Sequence, residues 1–330
     1  MTNHAATLKN NTDFFYDNER FTTDERPWLG TLPEFTGKDF RFVVLGDRCG
    51  IALPGIFEKA LELTKQLNPN FVLSVGDLIE GYWSQEEEAH AEWEQMESLL
   101  QEMELPFFFT VGNHDYGNEL MVKVWRARRG FEYYAFRYAN HLFLVANSEE
   151  TLKTMSAQDE EGFRGIAKLA QANPEKAVDI VRSAYRNLED DSEFNHTANP
   201  NLLRADLSEE QLSFFEKVLE ENKDVHWTFL TIHTPAWRGD SPQFKQLENL
   251  LSTRKHTIFA GHLHQLELHE KEGGNRIQMG RTGSIPHGEG KHDLNHIMLV
   301  SAKEGHEPSF TVIDLDGVYA IEHFRKNSNN

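Results

Sequence analysis

The sequence contains a single cysteine, Cys49, which excludes a framework of internal disulfides. It also lacks any run of about 18 consecutive apolar residues, the length that a membrane-spanning helix needs. The N-terminal segment has neither a basic start nor an apolar core, so we expect no secretory signal. These absences predict a cytoplasmic globular protein with no membrane partner.

Basic residues are few, because 33 Lys and Arg stand against 53 Asp and Glu, for a net charge of −20. Such a field repels polyanions, and no basic run offsets it, so we expect no nucleic-acid partner. A small phosphorylated substrate is compatible with this charge, since bound cations can reverse the sign of the field inside one pocket.

Buried strands and amphipathic helices alternate from Phe40 onward. Short apolar runs that end in Gly-Asp or Gly-Asn predict strands at 40–47, 70–77 and 106–115. Helical spacing predicts helices at 56–67 and 86–103, the first with one apolar face formed by Ile56, Ala60, Leu63 and Leu67. This order predicts an α/β fold with parallel, buried strands.

The remaining segments suggest a domain organisation. Residues 1–37 are polar and are predicted to form an N-terminal arm, which precedes one domain at 38–330. Residues 133–149 alternate like a β-hairpin with Asn140-His141 at the turn. The polar, mostly helical stretch 149–205 is either a cap inserted into the domain or a long surface excursion.

Residues that can bind metals follow several of the predicted strands. Early strands end in Asp47, Asp77 and the triplet Asn113-His114-Asp115, and later ones in His233 and in His262 with His264. The carboxyl ends of strands share one edge in open α/β sheets, so we expect these side chains to converge.

The donor types indicate a metal site. Carboxylates, imidazoles and an amide oxygen suit ions such as Mn, Fe or Zn, and there are more donors than one ion needs. One carboxylate can bridge two ions about 3.5–4 Å apart, an arrangement that serves displacement at phosphorus. Asp47 or Asp77 alone would more often be a helix cap or turn residue, but the whole ordered set predicts a dinuclear centre.

The order of these blocks resembles the calcineurin-like metallophosphoesterase superfamily. That family carries Gly-Asp-x-His, Gly-Asp-x-x, Gly-Asn-His-Asp/Glu, a later His and Gly-His-x-His; here they read GDRC, GDLI, GNHD, TIHTP and GHLH. The last block is similar to that of the phosphodiesterase and purple acid phosphatase branches. The resemblance implies a four-layer α-β-β-α sandwich of two mixed sheets and a metal-dependent phosphoester hydrolase acting on a small substrate.

The resemblance also implies roles for individual residues. It assigns Asp77 to both ions, Asp47 and His264 to the first, and Asn113, His233 and His262 to the second. A hydroxide between the ions would attack phosphorus.

The same resemblance points to residues that act on the substrate. His114 would protonate the leaving oxygen or donate to a non-bridging oxygen, and we group Asp115 of the same block with the catalytic residues. Asn113 and His114 are expected to contact the substrate. Arg48 could hold a phosphate oxygen, although a salt bridge within its loop is an equal alternative.

Cys49 stands where the family often has a metal-binding His. The purple acid phosphatase branch also lacks that His, but it has a Tyr at the position of Glu80. Cys49 could bind as a thiolate, which would favour Fe or Zn; the first site could have fewer protein ligands; or Glu80 could join it. Glu80 could instead orient His114, which we prefer. An incomplete first site leaves a second function open, that of a binding or scaffold protein without turnover.

Overall fold

Two mixed β-sheets form the centre of the protein. The structure is a computed structural model that describes residues 12–34, 39–186, 203–271, 273–286, 290–315 and 317–325. In chain order, the strands are β1 (Thr12–Phe15), β2 (Trp28–Leu29), β3 (Phe40–Leu45), β4 (Phe71–Ser74), β5 (Phe107–Phe108), β6 (Tyr134–Tyr138), β7 (His141–Val145), β8 (Trp227–Thr231), β9 (His256–Ala260), β10 (Glu267–Lys271), β11 (Gly274–Gln278), β12 (His296–Ala302), β13 (Ser309–Asp314) and β14 (Gly317–Ala320).

The helices cover the outer faces of the sheets and part of one edge. They are α1 (Ile56–Leu67), α2 (Glu86–Gln101), α3 (Glu119–Arg129), α4 (Ala157–Ala172), α5 (Ala177–Arg186), α6 (Glu209–Glu221) and α7 (Pro242–Leu251). None of the helices in these described ranges has the length and apolar character that crossing a bilayer requires.

Each sheet has seven strands, in the orders β14-β13-β12-β3-β4-β5-β2 and β1-β6-β7-β8-β9-β11-β10. The first is parallel through β3, β4 and β5, and the second is parallel through β7, β8, β9 and β11. Antiparallel strands complete both sheets. Residues 12–34 supply the edge strands β1 and β2, one to each sheet.

Alternation along β3 explains how the layers stack. Phe42 and Val44 lie in the core between the sheets, whereas Val43 and Leu45 pack with residues of α1, α2 and α3 on the outer face. The Phe42 ring centroid lies 5.0 Å from that of Phe229 in the opposite sheet. Helices α6 and α7 pack on the other side of the inter-sheet core. The expected four-layer α-β-β-α sandwich is confirmed.

Helix α1 has the predicted bounds but buries a different face. Its buried residues are Phe57, Ala60, Leu61 and Thr64, whereas Leu63 and Leu67 are only partly buried. The helix is turned by about one position because the large Phe57 ring and Leu61 enter the core, which leaves Ile56 only partly buried.

Two other local predictions need correction. The third predicted strand is regular only at Phe107–Phe108, because the following residues turn away to form a loop at the edge of the sheet. The hairpin of β6 and β7 forms, but its turn is Ala139-Asn140, since Tyr138 pairs with His141. His141 is therefore a buried strand residue.

His141 is a polar side chain in an apolar place. Its ring packs edge-on against Phe40 at 4.9 Å, and neither ring nitrogen has a hydrogen-bond partner among the residues described. Burial, with a smaller contribution from His226, lowers the pKa of His141 to about 4. The folded protein therefore holds this imidazole neutral where the unfolded chain would protonate it.

We expect His141→Phe to weaken the acid sensitivity of folding. The unfolded chain binds a proton at His141 below about pH 6.5 and the folded chain does not, so stability falls as pH drops toward 4. Between pH 7.5 and 5 this residue lowers the free energy of unfolding by about 2 kcal/mol. Urea unfolding at both pH values should show a smaller stability loss in His141→Phe than in the wild type. His306→Phe, in an exposed turn, is the control, and equal losses in all three proteins would contradict the expectation.

Candidate metal centre

The expected ligands meet at one edge, where strands of both sheets end. Asp47 follows β3, Asp77 follows β4, and Asn113 follows β5 in the first sheet. His233 follows β8 in the second sheet, and His262 and His264 follow β9. The hydrogen bonds and ion pairs below link these side chains across the gap between the sheets.

Four donor atoms form the tighter group. The Oδ1 atom of Asn113 lies 2.9 Å from Nε2 of His233 and 2.8 Å from Nδ1 of His262. The same His233 nitrogen lies 3.2 Å from Oδ2 of Asp77. Atoms that bind one ion at about 2.1 Å, at right angles, are about 3 Å apart. These spacings fit a single cation.

The second donor group is built on Asp47 and His264, which the resemblance assigns to the first ion. Oδ2 of Asp47 lies 3.3 Å from Nε2 of His264, whose Nδ1 lies 3.0 Å from the Ser284 hydroxyl. The other carboxylate oxygen of Asp47 is buried without a hydrogen-bond partner in the part of the chain that the structure describes. A buried, unsatisfied carboxylate oxygen is what a cation would satisfy.

Glycine is required beside this second group. Gly50 has a φ of +81°, and a Cβ atom there would lie 2.8 Å from Cε1 of His264. The same Cβ position is 3.8 Å from Nε2 of His114, so both imidazoles approach this point of the main chain. Only glycine combines this left-handed backbone with such a close approach.

Several ligand residues themselves adopt left-handed backbone. The φ angles are +56° for Asp77, +72° for His262 and +56° for His264. This conformation is uncommon outside glycine, and it persists only where the surrounding contacts hold it. The strain therefore falls on the residues that aim the donor atoms.

Main-chain and side-chain contacts fix the rings and the amide. Nδ1 of His233 lies 2.8 Å from the Val75 carbonyl, which leaves Nε2 to face the donors. The Asn113 amide donates to the Tyr82 hydroxyl at 3.2 Å, so its oxygen points the other way. Neither Tyr82 nor Ser284 was predicted, because neither belongs to a ligand block.

Cys49, Glu80 and His114 form a neighbouring cluster, with one ligand atom of each within 4.8 Å of the others. Cys49 is fully buried. Burial, with the Asp77 and Glu80 charges, raises the pKa of its thiol well above the usual value. The thiol is therefore neutral unless a cation stabilises the thiolate.

The expected role of the Glu80 carboxylate in orienting His114 is corrected by the contacts. Nδ1 of His114 lies 3.0 Å from the main-chain carbonyl of Glu80. The carboxylate instead accepts the N–H groups of Ile51 at 3.0 Å and Ala52 at 2.5 Å. A backbone segment with unpaired donors outcompetes the imidazole for this side chain.

Asp115 contacts the backbone rather than the space between the donors. Its carboxylate accepts the N–H groups of Asp77 at 2.8 Å, Leu78 at 2.9 Å and Gly112 at 3.0 Å. We expected Asp115 to be a catalytic residue, but these contacts make it a positioning residue. Its carboxylate links the loops after β4 and β5.

Arg48 makes its contacts away from the donors. Its guanidinium donates to the Leu78 carbonyl at 2.9 Å and lies 5.7 Å from the ring centroid of Phe57 in α1. These contacts direct it toward the helix layer, where it does not face the donors. The phosphate contact of Arg48 and its alternative, a salt bridge within the loop, both stay predictions.

A family comparison agrees with this geometry. The model of the calcineurin-like phosphoesterase family matches residues 40–266, which include every donor named above. The chain belongs to this family. No curated protein matches the chain.

Solved structures that resemble this chain share its fold at low identity. A dimetal phosphatase from Danio rerio has a TM-score of 0.57 at 13% identity, over 86% of this chain and 98% of that one. A purple acid phosphatase from yellow lupin (Lupinus luteus) seeds has a TM-score of 0.56 at 12% identity, over 87% and 54%. A structure of PhoD has a TM-score of 0.53 at 13% identity, over 87% and 72%.

The buried charges at the centre are strongly coupled. Burial raises the pKa of Asp47 to about 7. Burial also opposes ionisation of Asp77, but His233 and His114 bring the pKa of Asp77 below its usual range. Asp77 in turn raises the pKa of His233 to about 10 against the effect of burial. The cluster therefore holds protons that a cation must displace.

We expect Asp115→Asn to weaken metal binding although it removes no donor. An amide nitrogen cannot accept a hydrogen bond, so at least one loop N–H loses its partner. Metal affinity should fall by about 10- to 100-fold and the free energy of unfolding by about 1–3 kcal/mol. Competition with a chelator and urea unfolding measure the two effects. The matched control is Asp240→Asn, an exposed carboxylate, and an unchanged affinity in Asp115→Asn would contradict the positioning role.

Proposed function

We propose that this protein hydrolyses phosphate esters of a small molecule with the help of two bound metal ions, which are Mn, Fe or Zn. The observation that carries the proposal is the position of Asp77. Its Oδ2 faces His233 in the tighter donor group, and its main-chain carbonyl accepts the N–H of Cys49 at 3.0 Å beside the second group. Asp77 therefore joins both halves of the site.

The donor groups suggest which residues hold each ion. Asn113, His233 and His262 would hold one ion, Asp47 and His264 the other, and Asp77 would contact both. Two bound cations would withdraw charge from the phosphoryl oxygens and lower the pKa of a coordinated water. Asn113 directly precedes His114, and we assign both to the substrate side of the centre.

His114 suits the role of proton donor to the leaving oxygen. Its Nδ1 is held by the Glu80 carbonyl, which leaves Nε2 as the nitrogen that can reach a substrate. Its main-chain N–H donates to Asp77 at 2.9 Å, which fixes the ring beside the donors. Burial alone would lower the pKa of His114, but the Asp77 and Glu80 charges raise it overall. Proton transfer of this kind contributes about 10²- to 10⁴-fold.

The net charge of −20 supports a small substrate over a nucleic acid.

One observation favours the second candidate, a binding or scaffold protein that retains the fold without turnover. Cys49 stands where relatives often carry a metal-binding His, and its thiol is buried and neutral without a cation. The second donor group therefore has fewer ready ligands than the first.

The decisive experiment combines metal analysis of the purified protein with hydrolysis of p-nitrophenyl phosphate and its bis ester. We expect two equivalents of metal and turnover of at least one ester. Asp77→Asn should lose metal and at least about 100-fold in kcat/KM, because it removes the donor shared by both ions. Asp240→Asn should match the wild type.

Metal bound without turnover of either ester would favour the scaffold function. Cys49→His then separates the two candidates further. In an enzyme it should alter which metal supports the highest kcat, because an imidazole replaces a thiol beside the second donor group. In a protein that has lost turnover only through this position, the substitution should create activity that the wild type lacks.

A further inference from the structure

Helices α4 and α5 lie against the same segments that carry the metal donors. Their apolar residues Ala167, Ala170, Ala177 and Val181 form one buried cluster with Ile51 and Ile285. Ile51 comes two residues after Cys49, and Ile285 directly follows Ser284, which contacts His264. The helical pair thus packs on the rim of the site.

One face of α4 contacts the loops of the site. Glu160 accepts from the Asn118 amide at 3.0 Å, and Gln171 donates to the Glu80 carboxylate at 3.1 Å. Between them, the Phe163 ring centroid lies 5.2 Å from that of His114. Positions 160, 163, 167 and 171 follow helical spacing, so this face is continuous.

The Phe163 ring is the part of α4 that lies beside the proposed proton donor. The polar residues of this face, Glu160 and Gln171, form hydrogen bonds with Asn118 and Glu80. Phe163 is instead partly buried, and it contacts a second ring besides that of His114. Tyr82 is the second, with its ring centroid 5.6 Å from Phe163 and 5.2 Å from His114. The three rings therefore pack against one another, and the imidazole contacts both aromatic rings.

This placement bears on the leaving group of the substrate. Nδ1 of His114 is bonded to the Glu80 carbonyl, so a leaving oxygen can receive a proton only from Nε2. The atoms attached to that oxygen would then lie next to the His114 ring, and Phe163, whose ring centroid is 5.2 Å from that of the imidazole, would give them an apolar wall. A flat aromatic group can stack on such a wall, whereas a hydroxylated alkyl group gains little from it.

We propose that α4 and α5 form a substrate-recognition cap, in which Phe163 makes the site prefer phosphate esters with a planar aromatic leaving group. The inference rests on the proposed hydrolysis and specifies its substrate class. For the part described, it favours the cap over the surface excursion as the interpretation of residues 149–205, because α4 contacts loops of the site. Residues 187–202 lie outside the described ranges.

The test compares phenyl and glycerol esters of phosphate, as monoesters or methyl diesters according to the class that the wild type hydrolyses. Release of phosphate or of methyl phosphate is followed for both, and each variant is judged by the ratio of its two kcat/KM values. Phe163→Ala should lower kcat/KM for the phenyl ester roughly 10-fold, mainly through KM, and that for the glycerol ester less than about 2-fold. Phe163→Trp should restore the preference.

Leu169→Ala is the matched control, since Leu169 lies on the same helix with 53% of its surface exposed. Thermal unfolding and metal content of each variant show whether the cap still folds. Phe163→Leu keeps the apolar bulk without the ring, so it should lose most of the preference even if Phe163→Ala unfolds.

The outcomes separate the cap from the hydrolysis. A metal-loaded wild type that cleaves neither ester overturns the proposed function and the cap specificity with it. A wild type that cleaves both esters, with folded Phe163→Ala or Phe163→Leu lowering both kcat/KM values equally, leaves the hydrolysis standing and overturns the role of Phe163.

Discussion

The buried carboxylate of Asp77 is the constraint on which the rest of the centre depends. A buried charge is costly unless hydrogen bonds and opposite charges compensate it. His114 supplies a main-chain N–H from the first sheet, and His233 supplies an imidazole from the second. The two sheets must therefore bring their carboxyl edges together at this point. The left-handed backbone of Asp77 and the glycine before it are consequences of that convergence.

The metal donors could be predicted from the sequence because their placement is local. Each one lies within a few residues of the end of a strand, and the edge at which parallel strands end is a property of the fold class. The directions of Asp115, Glu80 and Arg48 could not be predicted in the same way. Their partners are main-chain groups of Gly112, Ala52 and Leu78, and backbone groups carry no pattern in the sequence. The same holds for the face of α1, which depends on how Phe57 fits against neighbouring helices.

The sequence left the proposed cap as one of two alternatives. Residues 149–186 are compatible with a cap or with a surface excursion, because α4 buries few large apolar side chains and contributes alanines to its buried cluster. Small residues allow a helix to approach loops closely but give a weak hydrophobic pattern. Phe163 is the one aromatic ring of α4, and the helical spacing of this face does not show which groups it contacts. Its importance appears only once His114 and Tyr82 are placed beside it.

Glu80 connects these two parts of the molecule. One carboxylate accepts the N–H groups of Ile51 and Ala52, which follow Cys49, and the side chain of Gln171 in the cap. Its main-chain carbonyl holds the ring of His114. A shift of the cap would therefore pull on the segment beside the second donor group and on the imidazole together. Both carboxylate oxygens of Glu80 already accept hydrogen bonds, so they have little freedom to bind a cation. The contacts therefore favour Glu80 as the residue that connects the proposed cap to the centre, rather than as a ligand in place of the missing His.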